Sequence, residues 1–483
     1  MDSSRPANAR VAATRTPSKR YAHGVLTSVL LACGNDEPPA QARPDILVVV
    51  MDTVRADHLG AYGSDNATPI FDAFAQSAVV FEDVTGSSWT WPSHASLFTG
   101  EPPWVHGAHF TDAEGIDLAE GWLHVSPMRA DLPTLAERLT AAGYRTVALS
   151  GNKLLSPEFG LTRGFETVEV FYNRDDKVLQ RANAVLGEED PRPLLLFVNL
   201  YAAHAPWEAR QDTQYLREEL AGAEWAHPWV VQDMAIAPHM GRGGSGGDLA
   251  EMWLNGELEI PPEGWDLVNQ LYDGEVRHVD RELGALLGSW AGTGHTGVVA
   301  VTSDHGEYLS ERDMILHCRT LYPEVTRVPL ALRAQPELPA ALRVSMPVNL
   351  RELHDALLLL AGVEDRSRLI ASVHGEARPE PITARAWRDR TWAEHIGGVY
   401  AQGYRLFRDQ DDVLILADDG TAELYDLGSD PGMGADLAAE LPHRVTRLAT
   451  EATGAFPESE TGLLQVDEAT RKQLQQMGYL SEE

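Results

Sequence analysis

Ile46-Leu47-Val48-Val49-Val50-Met51, followed at once by Asp52, is the stretch that decides the fold. Six consecutive apolar residues, most of them β-branched, read as a strand buried on both faces, as strands of a parallel sheet are. Similar runs follow at 146–149, 194–199 and 298–302. Helical spacing lies between them. One helix is predicted over 132–142, after Asp131 and closing on Gly143. Another over 268–290 lines up Leu271, Val276, Val279, Leu283, Leu286 and Leu287. Strand and helix alternating over ~250 residues predict a doubly wound α/β sheet.

The strand ends carry the chemistry. Asp52 closes the first strand, and ligands of open parallel sheets bind at that edge. Such an acid either caps the next segment or holds a cation, because an unpaired buried carboxylate is costly. The run 298–302 leads into Ser303-Asp304-His305-Gly306-Glu307, so a second strand ends in a carboxylate and an imidazole side by side. That donor pair suits Zn or Mn better than Ca, which prefers oxygen ligands alone.

Between these two sites lies Thr90-Trp91-Pro92-Ser93-His94-Ala95-Ser96-Leu97-Phe98-Thr99-Gly100. Pro92 near its start and serines in its first turns mark a helix N-terminus, where tetrahedral anions also bind. Thr90 there is either a cap or, beside a metal ion, a hydroxyl able to attack phosphorus or sulfur in line. Four histidines fall in or near such segments: His94, His106, His204 and His317. Each is either a structural or a catalytic candidate.

Residues 208–262 differ in character. They hold a glycine-rich run at 241–247 and Trp225, Trp229 and Trp253, and read as an insertion that is either a surface excursion or a lid. The catalytic domain is expected over 44–345. Beyond it, a helix at 350–360, short strands at 399–406 and 413–416, the segment Glu423-Leu424-Tyr425-Asp426-Leu427 and a closing C-terminal helix predict a smaller α+β subdomain over 346–483.

The 483 residues, 43% hydrophobic, suffice for one large domain or two medium ones. A net charge of −33 argues against nucleic acid as a partner. No 18-residue apolar run is present, so no transmembrane helix is expected. The N-terminus carries Arg5, Arg10, Arg15, Lys19 and Arg20, then a short apolar stretch ending in Leu30-Leu31-Ala32-Cys33. This resembles a bacterial lipoprotein signal over 1–33 with Cys33 as the lipidated residue, followed by a tether over 34–43. The expectation is an exported, periplasmic lipoprotein that meets the membrane only through its lipid anchor. Cys318 would then be the lone thiol, which excludes a disulfide framework.

Further stretches join those above: Met51-Asp52-Thr53-Val54-Arg55-Ala56-Asp57-His58-Leu59-Gly60, Ala142-Gly143-Tyr144-Arg145-Thr146, residues 201–207, Tyr272-Asp273-Gly274-Glu275-Val276, Thr326-Arg327-Val328-Pro329-Leu330, residues 423–427 and Gln476-Met477-Gly478-Tyr479-Leu480. In this order they resemble the sulfatase family of the alkaline phosphatase superfamily. The resemblance implies a central mixed sheet flanked by helices, with a small C-terminal subdomain. It implies Asp52, Asp304 and His305 as metal ligands and Thr90 as both ligand and nucleophile. His204 matches the family histidine at the ester or leaving group. His317 lies where the family has a His or Lys reaching the transferred group's oxygens.

Four departures stand out. Sulfatases proper carry Cys or Ser at the Thr90 position, oxidised to formylglycine; threonine would give a ketone. The usual arginine is His94, and a second acid after Asp52 is replaced by Thr53. The usual lysine is approached only by Lys153. These changes resemble the Thr-dependent phosphodiesterases and phosphoryl transferases of the superfamily. The leading expectation is a metal-dependent hydrolase of a small-molecule, glycan or lipid ester, using Zn or Mn, with Ca possible. Phosphate or phosphonate is favoured over sulfate as the ester. The alternatives are phosphoryl transfer to a lipid or glycan hydroxyl, and a catalytically silent anion-binding protein.

Overall fold

The computed structural model describes residues 43–111, 116–117, 122–123, 125–208, 210, 212–216, 260–389 and 398–456. The predicted lipoprotein signal with Cys33, nearly all of the tether, most of the 208–262 insertion and the closing 476–480 stretch lie outside the described residues.

The main sheet has eight strands: β1 (Asp45–Met51), β2 (Val79–Phe81), β3 (Arg145–Ser150), β4 (Thr167–Val170), β5 (Leu194–Leu200), β6 (Gly297–Thr302), β7 (Leu330–Arg333) and β8 (Leu342–Val344). Their spatial order is β8-β2-β7-β6-β1-β5-β3-β4. β7 runs antiparallel to both its neighbours, and the other pairings are parallel. The sheet is therefore mixed, as the family resemblance implies. β1 lies at its centre, between β5 and β6.

The unbroken apolar run of β1 has a packing cause. Ile46, Val48 and Val50 point into one core with Trp91, Phe98 and Leu353. Leu47, Val49 and Met51 point into the other, with Phe71, Val178 and Leu283. With both faces covered, no position on the strand is left for a polar side chain.

Six helices matter here: α1 (Thr90–Thr99), α2 (Leu135–Ala141), α3 (Asp175–Leu186), α4 (Pro262–Gly292), α5 (Glu352–Leu360) and α6 (Pro442–Ala452). α2 starts later than the predicted residue 132. Its start is set by a capping box, in which Thr134 accepts from the Glu137 amide and Glu137 accepts from the Thr134 amide. α4 begins six residues before the predicted 268, because Pro262 supplies a helical φ in the first turn. α1 is buried along its whole length. It stops at Gly100, whose φ of 75° suits glycine, and where a Cβ would come within 2.8 Å of His354 Nδ1.

The C-terminal subdomain is an antiparallel sheet of β9 (Ile382–Ala386), β10 (Tyr404–Asp409), β11 (Asp412–Ala417) and β12 (Ala422–Asp426). α6 covers one face through Leu448 and Ala452, against Phe407, Leu414 and Leu424. The strand predicted at 399–406 is displaced. Gly398–Ala401 forms a 3₁₀ turn, and the ladder begins where Tyr404 pairs with Ala386 and Ala417. Among the described residues, no helix is long and apolar enough to cross a membrane.

Candidate active site

The carboxyl edge of the main sheet gathers the predicted donors. Asp52 follows β1 and Asp304 and His305 follow β6, which pairs with β1 in parallel. All three are buried, and one ligand atom from each lies within 4.8 Å of the others. Asp52 Oδ1 and Asp304 Oδ2 are buried without a hydrogen-bond partner, 3.8 Å and 3.4 Å from His305 Nε2. Nδ1 of His305 lies 2.9 Å from the Gly306 carbonyl oxygen. A carbonyl only accepts, so Nδ1 carries the hydrogen and Nε2 turns its lone pair toward the two carboxylates.

Electrostatics agree with that layout. Burial, then the neighbouring Asp304 charge, raises the Asp52 pKa; burial raises that of Asp304. Burial, with His317 nearby, drives His305 down to about 3, so its imidazole is neutral at physiological pH. Two orphaned carboxylate oxygens and an imidazole lone pair converging on one point are a donor set for a divalent cation. Mixed oxygen and nitrogen donors suit Zn or Mn.

Thr90 stands at the first position of α1, with Trp89 as N-cap. It is fully buried, and its Oγ1 lies 3.3 Å from His305 Nε2. Asn152 Nδ2 donates to Thr90 Oγ1 at 3.2 Å and to Asp52 Oδ2 at 2.8 Å. Asn199, inside β5, also donates to Asp52 Oδ2, at 3.1 Å. These two asparagines hold the hydroxyl and the first carboxylate in one frame. Sequence reasoning passed over both, since it looked for ligands and nucleophiles. The available signal was an amide side chain at or just past the end of a buried strand, in Ser150-Gly151-Asn152 and in Val198-Asn199-Leu200.

Thr53 takes a left-handed backbone, φ 60°, uncommon for a β-branched residue. Tyr272 Oη donates to its carbonyl at 2.7 Å, and its own amide donates to Asp304 Oδ1 at 3.3 Å. The strained turn thus ties the end of β1 to the second acid. Gly306 is required sterically: a Cβ would lie 2.1 Å from the Glu324 carbonyl oxygen.

The histidines separate into two groups. His204 and His317 flank the cluster, with ring centroids 5.0 Å apart, and the His317 ring lies 4.3 Å from that of His305. Tyr201 stacks on His204 at 4.5 Å. Nδ1 of His317 lies 2.9 Å from Glu307 Oε1, leaving Nε2 buried without a hydrogen-bond partner. Burial lifts Glu307 to about 8 and pushes His317 well below its usual value. Glu307 belongs to a motif read from sequence, but its pairing with His317 was not foreseen.

His94 lies within α1, one turn past Thr90. Its Nδ1 donates to the Thr90 carbonyl at 3.0 Å and lies 3.5 Å from Asp304 Oδ2. His106 is spent on packing: the Ala108 amide donates to its Nδ1, and its Nε2 meets Ser96 Oγ at 3.0 Å. Lys153 pairs with Glu158 at 2.9 Å.

Residues 44–363 match the Sulfatase family, and the chain belongs to that family. Sulfatases are ester hydrolases. A "Sulfatase" of Formosa agariphila (strain DSM 15362 / KCTC 12365 / LMG 23005 / KMM 3901 / M-2Alg 35-1) is 29% identical over 171 residues, 35% of this chain. That match spans 32% of the relative's own length. Among solved structures, one in complex with its substrate D-glucosamine-2-N,6-O-disulfate aligns at TM-score 0.63 and 18% identity, over 89% of this chain and 99% of its own. The phosphonate monoester hydrolase of Agrobacterium radiobacter aligns at TM-score 0.64 and 18% identity, over 86% and 95%. That of Silicibacter pomeroyi aligns at 0.59 and 20%, over 86% and 95%. At these identities the likeness is one of fold.

Proposed function

We propose that the protein is a metal-dependent hydrolase of sulfate, phosphate or phosphonate esters, working by in-line attack of Thr90 through a covalent intermediate, with phosphoesters preferred. The observation that carries this reading is the convergence of the Thr90 hydroxyl with the unsatisfied donors of Asp52, Asp304 and His305. Asn152 steadies the hydroxyl, and Thr90 itself stands at the N-terminus of α1, the positive end of the helix dipole. A divalent cation held by the donor set would ease ionisation of Thr90 and offset charge on the ester oxygens. His204 and His317 then stand on the side where the ester's outer oxygens would lie.

Chemistry favours phosphorus. A formylglycine sulfatase expels sulfate from a hemiacetal without water attacking sulfur. A threonine ester needs that attack, which a phosphoryl intermediate tolerates better. Fixed charge favours a monoanionic ester over a dianionic phosphate monoester. Asp52 and Asp304 are acidic, His94 replaces the family arginine, and Lys153 and Arg55 are committed to Glu158 and to Asp57 and Glu311. The fold likeness to two phosphonate monoester hydrolases supports the same choice, and the disulfated glucosamine bound to another relative supports a glycan ester among the substrates.

The test is turnover of an aryl sulfate, an aryl phosphate, a phosphodiester and a phosphonate monoester by protein loaded separately with Zn, Mn and Ca. Thr90-dependent phosphodiester or phosphonate cleavage is expected. Sulfate cleavage alone would overturn the phosphorus preference. Ion uptake without turnover would shift the reading to phosphoryl transfer to a lipid or glycan acceptor, and no ion uptake to a binding protein.

Export as a lipoprotein anchored through Cys33 is proposed on the basic, apolar and Leu30-Leu31-Ala32-Cys33 segments. Cys33→Ser is expected to move the protein from the membrane to the soluble fraction of a bacterial host and to stop incorporation of labelled palmitate. Unchanged labelling would refute the assignment.

A further inference from the structure

Each acid of the cluster turns one oxygen toward the other donors and has its second oxygen taken. Asp52 Oδ2 accepts from Asn152 Nδ2 at 2.8 Å and from Asn199 Nδ2 at 3.1 Å. A carboxylate oxygen has two lone-pair sites, and here both are used. Asp304 Oδ1 is filled in the same way, by the Thr53 amide at 3.3 Å and the His305 amide at 3.0 Å. What remains is Asp52 Oδ1 and Asp304 Oδ2, both buried and without a hydrogen-bond partner.

The two asparagines are fixed in orientation by their own partners. The Leu154 amide donates to Asn152 Oδ1 at 3.0 Å. A backbone amide only donates, so the NH2 end of Asn152 is the one that faces Asp52. Ser150 Oγ lies 3.0 Å from Asn199 Oδ1, and a flipped Asn199 would set its oxygen against the Asp52 carboxylate. Both side chains are fully buried. The strands place them: Asn199 pairs with Val50 across β5 and β1, and Ser150, two residues before Asn152, pairs with Asn199 across β3 and β5.

This arrangement limits what an ion receives. Among the described residues the cluster offers Asp52 Oδ1, Asp304 Oδ2, His305 Nε2 and, beside them, Thr90 Oγ1. Thr53 adds nothing, since its hydroxyl donates to the Asp52 carbonyl at 2.7 Å. His94 Nδ1 lies 3.5 Å from Asp304 Oδ2 but spends its hydrogen on the Thr90 carbonyl. Single oxygens from two carboxylates, a hydroxyl and an imidazole nitrogen match Zn, which binds about four ligands. Ca takes roughly six to eight oxygens and often recruits both oxygens of a carboxylate.

We propose that Asn152 and Asn199 select the ion: by occupying Asp52 Oδ2 they confine Asp52 to a single ligand oxygen, and so favour Zn over Ca. Asn152 gives its other hydrogen to Thr90 Oγ1 at 3.2 Å and therefore touches the nucleophile as well. Asn199 reaches the cluster through Asp52, and is the cleaner probe. The inference rests on ion binding at this cluster, as proposed above, and not on which ester is cleaved.

The experiment compares Zn and Ca binding to the full chain in wild type and in Asn199→Val. Valine suits a buried strand and fills the space, while Ser150 Oγ keeps the Asn152 carbonyl as an acceptor at 3.1 Å. Titration of each ion in competition with a metal-sensitive dye gives both dissociation constants. The ratio of the Ca constant to the Zn constant is expected to fall by about tenfold or more in Asn199→Val, the size of effect that partners of metal ligands exert. An asparagine that only supported the fold would weaken both ions alike, so a ratio within about twofold of wild type would overturn the proposal. Should Asn199→Val fail to fold, Asn152→Ala opens the other lone pair of the same oxygen and the same ratio is read. X-ray absorption on Zn-loaded wild type gives a second measurement: about four or five nitrogen and oxygen neighbours are expected, and about six or more would refute single-oxygen binding. A wild type that takes up no ion at all would remove the metal-dependent reading itself, whereas an unchanged ratio with ion bound removes this inference alone.

Discussion

Replacing Thr90 with alanine is expected to lower turnover by ~10³-fold or more on every ester the wild type cleaves, since loss of a nucleophile leaves only binding and charge stabilisation. The fold should hardly notice. Thr90 makes no side-chain cap to α1, and among the described residues its hydroxyl meets Asn152 and His305. Melting temperature and ion content should therefore stay near wild type while kcat collapses. Thr90→Ser keeps a hydroxyl at the same place and should recover much of the rate, which separates the chemistry of the oxygen from the packing of the methyl group. A second readout is covalent: a phosphodiester or phosphonate quenched in acid should leave a modified peptide containing Thr90 in wild type and none in Thr90→Ala. Full activity in Thr90→Ala would end the covalent mechanism.

Removing the ion, or Asp304, has the second largest expected effect. Asp52 Oδ1 and Asp304 Oδ2 are buried without partners, and each carboxylate opposes ionisation of the other. A cation that binds only the folded chain stabilises it by about 2.7 kcal/mol at ~100 times its dissociation constant. Zn or Mn should thus raise the melting temperature of the wild type by several degrees, and a chelator should reverse it. Asp304→Ala removes one donor and also the acceptor of the Thr53 and His305 amides, at 3.3 Å and 3.0 Å. It should abolish both the ion-dependent shift and turnover, and lose about 1–3 kcal/mol of its own from the unsatisfied amides. An ion-dependent shift that survives in both Asp304→Ala and Asp52→Ala would place the ion elsewhere.

Much of this site was legible along the chain because its chemistry lies next to recognisable strands. An apolar run that ends on Asp52 and another that ends on Asp304-His305 announce two strand ends on one edge of a sheet, since parallel strands share a carboxyl edge. The Thr90–Gly100 run announces its helix through Pro92 and a terminal glycine. What stayed illegible were residues whose role is defined by a partner far away in sequence. Asn152 and Asn199 reach Asp52 across separations of 100 and 147 residues. The displaced start of β10 has the same cause, since pairing with Ala386 and Ala417 fixes it, and not the apolar content of 399–406.

The sequence by itself determined the α/β class, the central strand, the position of the helix that opens at Thr90 and the strand ends that carry Asp52, Asp304 and His305. Those features are local: periodicity, caps and strand ends are written in neighbouring residues. Only the tertiary structure decided which histidines face the cluster, that His106 and Lys153 are occupied elsewhere, and that Glu307 pairs with His317. It alone set the Asp175 carboxylate on the backbone amides of Tyr201 and Ala202. A side chain's partner, its burial and the direction of its lone pairs depend on what the fold lays beside it, and no local pattern encodes that.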